Sequence, residues 1–209
     1  MGRAEVAEKE TLQREVLAAQ RAKRGDRHPG TLVTLANLAV NLHEQGKLAE
    51  AEPLFREVVA ARREVSGNDD LNTMMAVGNL GKVLLAQGKL EEAEPLLVEA
   101  VAWFRKTYGN GGIYNGPLVE LRLAQGRLAE AEQELGTLVA DARKQWGPQS
   151  QYTLEAEAVA ARLRHAQPDG EAAGTAELRA VVGRMGEFLG AAHQVTIKWQ
   201  RVLEGMGSC

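Results

Sequence analysis

The chain has 209 residues, 44% of them apolar and only 4% aromatic, with a formal charge of −3; this length and apolar share can bury a continuous core, which excludes a disordered tail. No long run of Lys or Arg offers a nucleic-acid backbone electrostatic support, and no apolar run approaches the roughly 20 residues needed to cross a bilayer. The lone cysteine, Cys209, rules out an internal disulfide and a thiolate metal cluster, suits a reducing compartment, and stands outside any prenylation box.

Ala, Leu, Glu, Arg and Gln abound, and these lose least side-chain freedom in a helix, so every element is expected to be helical. Ala4 to Arg24 carries Val6, Leu12, Val16 and Leu17 at helical spacing and predicts the first helix. The stretch from Met1 to Asp26 is charged throughout, unlike the apolar segment of a signal peptide. Next, Leu32, Leu35, Leu38 and Leu42 predict one helix, and Leu48, Ala51, Leu54, Phe55, Val58 and Val59 a second. Gly46 and Gly67 close these two, as glycine does where a helix ends in a left-handed residue.

The phrase "QGKLAEAEPL" from Gln45 returns as "QGKLEEAEPL" from Gln87 and "QGRLAEAEQEL" from Gln125. Gly46 and Gly88 lie 42 residues apart, and Gly88 and Gly126 lie 38 apart. A second marker runs independently, a glycine followed six residues later by Thr and an aliphatic: Gly25 with Thr31, Gly67 with Thr73, Gly147 with Thr153, Gly190 with Thr196. Each period is thus a helix pair that cannot hide its apolar stripe alone and must stack on its neighbours. Small residues recur where the helices of a pair meet: Ala39 and Gly81 in the first, Ala51, Ala93 and Ala131 in the second.

The third period is short by four residues, which leaves its stripe only about 40° out of register. A loop over Asn110 to Gly116 and a short helix with Pro117 at its first position are expected there. Beyond Thr153 the apolar spacing thins to Ala156, Val159, Ala160 and Leu163, "QPDGEAAG" replaces the repeated phrase, and a helix is expected from about Thr175 to Leu189. His193 to Leu203 predicts a shortened first helix. The expected organisation is a single all-α domain over 1–209: a half repeat or cap at 1–27, repeats at 28–69, 70–111 and 112–149, a degenerate repeat at 150–192, and a half repeat or cap at 193–209. Pro53 and Pro95 fall inside second helices, where proline ordinarily costs about 3 kcal/mol.

Catalytic and ligand motifs fail on inspection. "GNGGIYNG" from Gly109 lacks the Gly-Lys-Ser/Thr ending and the flanking strand of a phosphate loop, and Val83 after Gly81 and Lys82 breaks that motif too. His28, His43, His165 and His193 are dispersed, and His28 before Pro29 reads as a turn residue. Glutamates three to seven apart, such as Glu50 with Glu57 or Glu91 with Glu94, read as solvated faces. Trp103, Trp146 and Trp199 read as partly buried helix residues. No enzyme activity, cofactor or metal is expected.

The order Asn-Leu-Ala/Gly, Gln-Gly-Lys-Leu, Glu-Ala-Glu-Pro-Leu resembles the tetratricopeptide repeat, in the long form of about 42 residues seen in kinesin light chains. The resemblance implies an α-solenoid of stacked antiparallel helix pairs in a right-handed superhelix, with the first helices lining a concave surface. It further implies that Asn37 and Asn79 contact the main chain of a peptide, because an amide both donates and accepts. Counting turns from them puts Val33, Ala36 and Val40 on that face in one helix, and Met75, Gly78 and Lys82 in the next, Lys82 offering a charge to an acidic ligand. Pro117 and Val159 stand where the third and fourth repeats need Asn, so the groove is expected to span two repeats. The expected role is a non-enzymatic module binding a protein or peptide partner. Nucleic acid, membrane insertion and small-molecule ligands are not expected. The expected location is intracellular and soluble, in the cytoplasm, with an organelle left open. A structural subunit held through the convex face or the C-terminal part, and a regulatory fragment of a longer signalling chain, stand as alternatives.

Overall fold

The computed structural model describes residues 3–136 and 138–206; Cys209 lies outside them, as does the side chain of Val6. Its helices are α1 (Arg3–Arg24), α2 (Pro29–Glu44), α3 (Leu48–Ser66), α4 (Leu71–Ala86), α5 (Leu90–Tyr108), α6 (Asn115–Ala124), α7 (Leu128–Leu135), α8 (Leu138–Trp146), α9 (Gln151–His165), α10 (Glu171–Phe188) and α11 (Gln194–Met206), with a 3₁₀ turn at Gly112–Tyr114. No strand occurs among the described residues, and none of these helices is long and apolar enough to cross a membrane. The chain divides into two compact units, Met1–Trp103 and Phe104–Cys209, with the boundary inside α5.

In unit 1, α1, α2, α3 and α4 pack in succession, and α2 also touches α4. The pairs are held apart and turned by chemistry the sequence repeats. Gly46 and Gly88 both sit at φ 75°, where a side chain would be strained. Each ends its helix with the same bond pair: Lys47 N donates to Leu42 O and Lys89 N to Leu84 O, both at 2.9 Å, while the glycine N–H binds the carbonyl three residues back. Helix starts are capped as well. His28 Nδ1 accepts from Gly30 N at 3.1 Å with Pro29 in the first turn of α2, and Asp70 accepts from Thr73 N at 2.9 Å. The marker threonines Thr31 and Thr73 are fully buried beneath these caps.

Leu32, Leu35, Leu38 and Leu42 of α2 and Ala51, Phe55 and Val58 of α3 are buried, each large side chain contributing about 1.5 to 3 kcal/mol. Close approach explains the small residues: a Cβ on Gly81 would lie 2.8 Å from Leu97 Cγ of α5. Pro53 and Pro95 are exposed, and so are Ala49 and Glu91 four residues before them, so the carbonyls that lose a donor meet water. In α1 the expected stripe is only partly buried: Leu17 is inside, whereas Leu12 and Val16 are exposed, because no described helix packs on that side.

Unit 2 keeps the period with altered parts. The predicted loop at 110–116 is half helical: a 3₁₀ turn leads into α6 at Asn115, so Pro117 is the third residue of the helix, not the first. Tyr114, fully buried, fills the space left by the shortening and packs on Phe104 at 5.5 Å between ring centroids. The second helix of this period, continuous elsewhere, is split into α7 and α8 by Gly136 at φ 25°, ψ −104°. Asn115 holds the end of α7, its Nδ2 donating to Glu134 O at 2.9 Å.

Further on, Ser150 caps α9, and Thr153 Oγ1 donates to Gly147 O at 2.7 Å, a direct bond between the two marker residues. The expected helix at 175–189 starts four residues earlier, at Glu171, after Asp169 takes the left-handed turn at φ 60° that glycine takes elsewhere. Gly174 then falls at the fourth residue of α10, the place of Ala51 in α3, Ala93 in α5 and Ala131 in α7. A Cβ there would collide with the His165 backbone N and the Ala161 carbonyl of α9. The core joins Leu154, Ala158 and Val159 of α9 to Leu178, Val181 and Met185 of α10 and to Trp199 of α11.

Candidate functional site

Helix α2 buries the side that faces α3 and exposes the other. Val33 is 47% exposed and Asn37 is exposed, while Ala36 and Val40 are half-buried between them. In α4 the equivalent residues are Met75, 38% exposed, and the half-buried Asn79 and Lys82, with Gly78 buried. Because α2 and α4 adjoin, two amides and four apolar side chains come to one surface of unit 1. Met75, Asn79 and Lys82 each engage neighbouring groups.

The same positions in unit 2 carry different chemistry. Glu155 of α9 and Lys198 of α11 stand where α2 has Val33 and α4 has Met75; Glu120 of α6 and Arg162 of α9 stand where they have Val40 and Lys82. Lys198 Nζ donates to Glu120 Oε1 at 2.9 Å, and Arg162 Nη1 lies 3.7 Å from Glu120 Oε2. The Lys198 side chain is 45% exposed; partial desolvation works against its charge, yet Glu120 and Glu155 outweigh it and hold its pKa above the ordinary lysine value. This cluster of four charges was not foreseen, because its members lie up to 78 residues apart and belong to no local motif.

Carboxylates read from the sequence as solvated turn out to be paired across repeats. Arg14 of α1 reaches Glu50 of α3 and Arg56 of α3 reaches Glu92 of α5, both at 2.7 Å. Arg21 pairs with Glu57, and Arg63 with Glu99 at 2.6 Å, so each arginine meets the glutamate 36 residues ahead. The repeated phrase takes part: Lys47 binds Glu10 at 2.7 Å, Lys89 binds Glu52 at 2.8 Å, and Gln87 Nε2 donates to Leu48 O at 3.0 Å. Hydrogen bonds from Lys89 and then Arg56 pull Glu52 down to about 2. A carboxyl so held is the opposite of a poised general acid.

The other candidates resolve structurally. Tyr114 occupies the glycine-rich stretch, and no group of metal-ligating side chains occurs among the described residues. Trp103 is half-buried and donates to Asp69 Oδ1 at 3.2 Å, Trp146 packs on Tyr152 at 4.9 Å, and Trp199 is fully buried. Two aromatic groupings escaped the sequence reading: in unit 2, Phe104 meets both Tyr108 and Tyr114, and Tyr152 meets Trp146, with Tyr108 and Tyr152 exposed.

Profiles of the tetratricopeptide repeat match residues 2–64, 34–106 and 84–151. No curated protein matches the sequence. Two solved structures of a Podosopora anserina protein assigned as a kinesin light chain, with nearly identical TPR-like repeats, share the fold. Their TM-scores are 0.68, for a point variant, and 0.65; each is 24% identical, covers 88% of this chain, and is itself covered to 88% and 89%. The fold class is therefore the all-α solenoid of stacked helix pairs.

Proposed function

The chain belongs to the tetratricopeptide-repeat family, a family of protein-interaction scaffolds, and on that premise we propose that unit 1 receives an extended peptide or partner helix on the surface shared by α2 and α4, the concave side of such arrays. The carrying observation is the recurrence of equivalent residues there, exposed Val33 with exposed Met75 and exposed Asn37 with half-buried Asn79, beside the buried faces of the two helices. Asn37 and Asn79 bond the ligand's alternating main-chain groups, Val33, Val40 and Met75 receive its apolar side chains, and Lys82 favours an acidic one. Two neighbouring first helices span about 20 Å, enough for roughly six extended residues. The ligand is a protein segment met inside the cell in the soluble phase; the net charge of −3 argues against nucleic acid.

Selection of displayed peptides against the intact chain, with a photo-crosslinker at Val33, tests this: enriched peptides should crosslink there. Enrichment of peptides that crosslink only from unit 2 contradicts it. One observation favours a second reading, an assembly subunit held through its C-terminal part. Unit 2 exposes Tyr108 and Tyr152, the latter packed on Trp146, and aromatic side chains are enriched at interfaces; crosslinking from Tyr108 or Tyr152 to a stable partner supports that reading instead.

A further inference from the structure

Arg62 of α3 is only 6% exposed, yet it makes no hydrogen bond or ion pair among the described residues. It ends the buried stripe that Phe55, Val58 and Val59 begin. The equivalent place holds Phe104 in α5, Ala142 in α8 and Met185 in α10, all apolar and the last two buried, so the repeat itself asks for no charge there. Arg122, equally buried, is answered by Glu130 at 3.5 Å and by Gln125 at 3.2 Å. An arginine keeps its charge at any working pH, and a charge taken out of water is strongly unfavourable unless an opposite charge meets it.

A second polar group is orphaned at the same level. Counting equal distances from the turn at 45–47, which joins α2 to α3 antiparallel, sets Arg62 opposite the first turn of α2, where Thr31 lies. Thr31 is fully buried and its Oγ1 has no partner. Its counterparts are satisfied: Thr73 Oγ1 donates to Asp70 Oδ1 at 3.2 Å and Thr153 Oγ1 to Gly147 O at 2.7 Å. In α1, which packs on α2, Gln20 stands at the place of Arg62 and its amide oxygen is also buried without a partner, but a neutral carbonyl cannot balance a charge. A guanidinium fork and a hydroxyl at one level of two adjoining helices call for a group with a negative charge and acceptor oxygens.

We propose that Arg62 and Thr31 form an oxyanion site between α3 and α2, Arg62 donating through its fork and Thr31 through its hydroxyl. Carboxylate and phosphate groups share the chemistry that fits. The same count from the turn at 67–70 sets Arg62 level with Met75 of α4, at one end of the surface proposed for the peptide. The anion is therefore either free in solution or a carboxylate of the ligand seated there, and only the second source rests on that reading.

Thermal melts of the full chain, with chloride replaced stepwise by acetate or phosphate at constant ionic strength, read the free anion. If that is the source, the parent should gain about 2 to 4 °C by the end of the titration, Arg62→Met should gain nothing, and Thr31→Val should gain less than the parent. In chloride alone Arg62→Met should melt at or above the parent, because an unpaired charge leaves and an apolar chain of similar reach stays, as Met185 does in α10. The ligand's carboxylate is read by the affinity of a selected peptide bearing Asp or Glu. Arg62→Met should weaken it about tenfold and leave unchanged the same peptide with amides in place of its carboxylates. A gain in either arm supports the site and names its source, and the first arm stands even if no peptide binds unit 1. Absence of both effects overturns the proposal, as does an Arg62→Met chain that melts well below the parent in chloride, which would make the arginine a part of the fold.

Discussion

Unit 1 and unit 2 count the same period with different materials. In unit 1 one phrase is spelled almost identically each time, and its Lys47 and Lys89 bind the preceding second helix through Glu10 and Glu52. In unit 2 the phrase decays, the second helix breaks at Gly136, and a buried core place changes character: Glu157 stands where α2 has Leu35 and α4 has Val77, both 0% exposed. Its carboxylate is held by Arg143 at 2.6 Å and by Arg184. What survives in both units is the left-handed glycine, the buried threonine six residues on, and the small residue in the fourth place of the second helix. Backbone geometry and close approach therefore define the repeat, and the charged phrase is one of several ways to tie its neighbours together.

The units should respond unequally to equivalent changes. Gly174→Ala puts a methyl group against the α9 backbone, which cannot give way as a side chain can; denaturant melts should show a loss at or beyond the upper end of the usual overpacking range of about 1 to 3 kcal/mol. Ala51→Leu, at the same fully buried place in unit 1, should fall inside that range; an unaltered melt would break the equivalence. Glu157→Gln leaves two arginines facing a neutral amide and should cost roughly 1 to 3 kcal/mol by the same assay.

Acid should act on unit 1 more gently. Glu52 sits at about 2, below its usual 4.5, because of Lys89 and Arg56, so its contribution is complete above about pH 4.5 and is lost as pH falls toward 2. Glu10 is shifted the same way, by Lys47 first. Far-UV circular dichroism melts at pH 5 and pH 2 should separate the parent from a Lys89→Met variant at the higher pH and bring them close together at the lower. Smallest of all should be Arg63→Ala: its pair with Glu99 is largely exposed, contributes under about 1 kcal/mol, and should contribute nothing measurable in 1 M salt.

The parts legible in the sequence were those fixed by local geometry. All seven marker glycines at 25, 46, 67, 88, 126, 147 and 190 have positive φ, and Thr31, Thr73, Thr153 and Thr196 are buried. The reading of His28 as a turn residue rested on its proline neighbour, and it caps α2. What escaped depends on partners distant in sequence. Pro117 looked like a helix start because nothing local announces the 3₁₀ turn that Tyr114 nails down by burial. Gly136 ends α7, yet in sequence it is one more small residue in an alanine-rich helix. Glu50 and Glu57 look solvated until α1 is laid beside α3. On the candidate surface, equivalence placed Asn37 and Asn79 on adjoining helices, but the Glu120–Lys198 bond of unit 2 joins α6 to α11 and has no signature in either segment.

The central claim is that the α2 and α4 surface of unit 1 recognises a ligand and the charged face of unit 2 does not. Its most direct test is the dissociation constant of one selected peptide for three proteins: the parent, Asn37→Ala with Asn79→Ala, and Glu120→Gln with Lys198→Met. Loss of two hydrogen bonds should weaken the second about tenfold or more with helicity unchanged, and the third should bind like the parent; full affinity in the asparagine variant, or a loss confined to the unit 2 variant, would contradict the account.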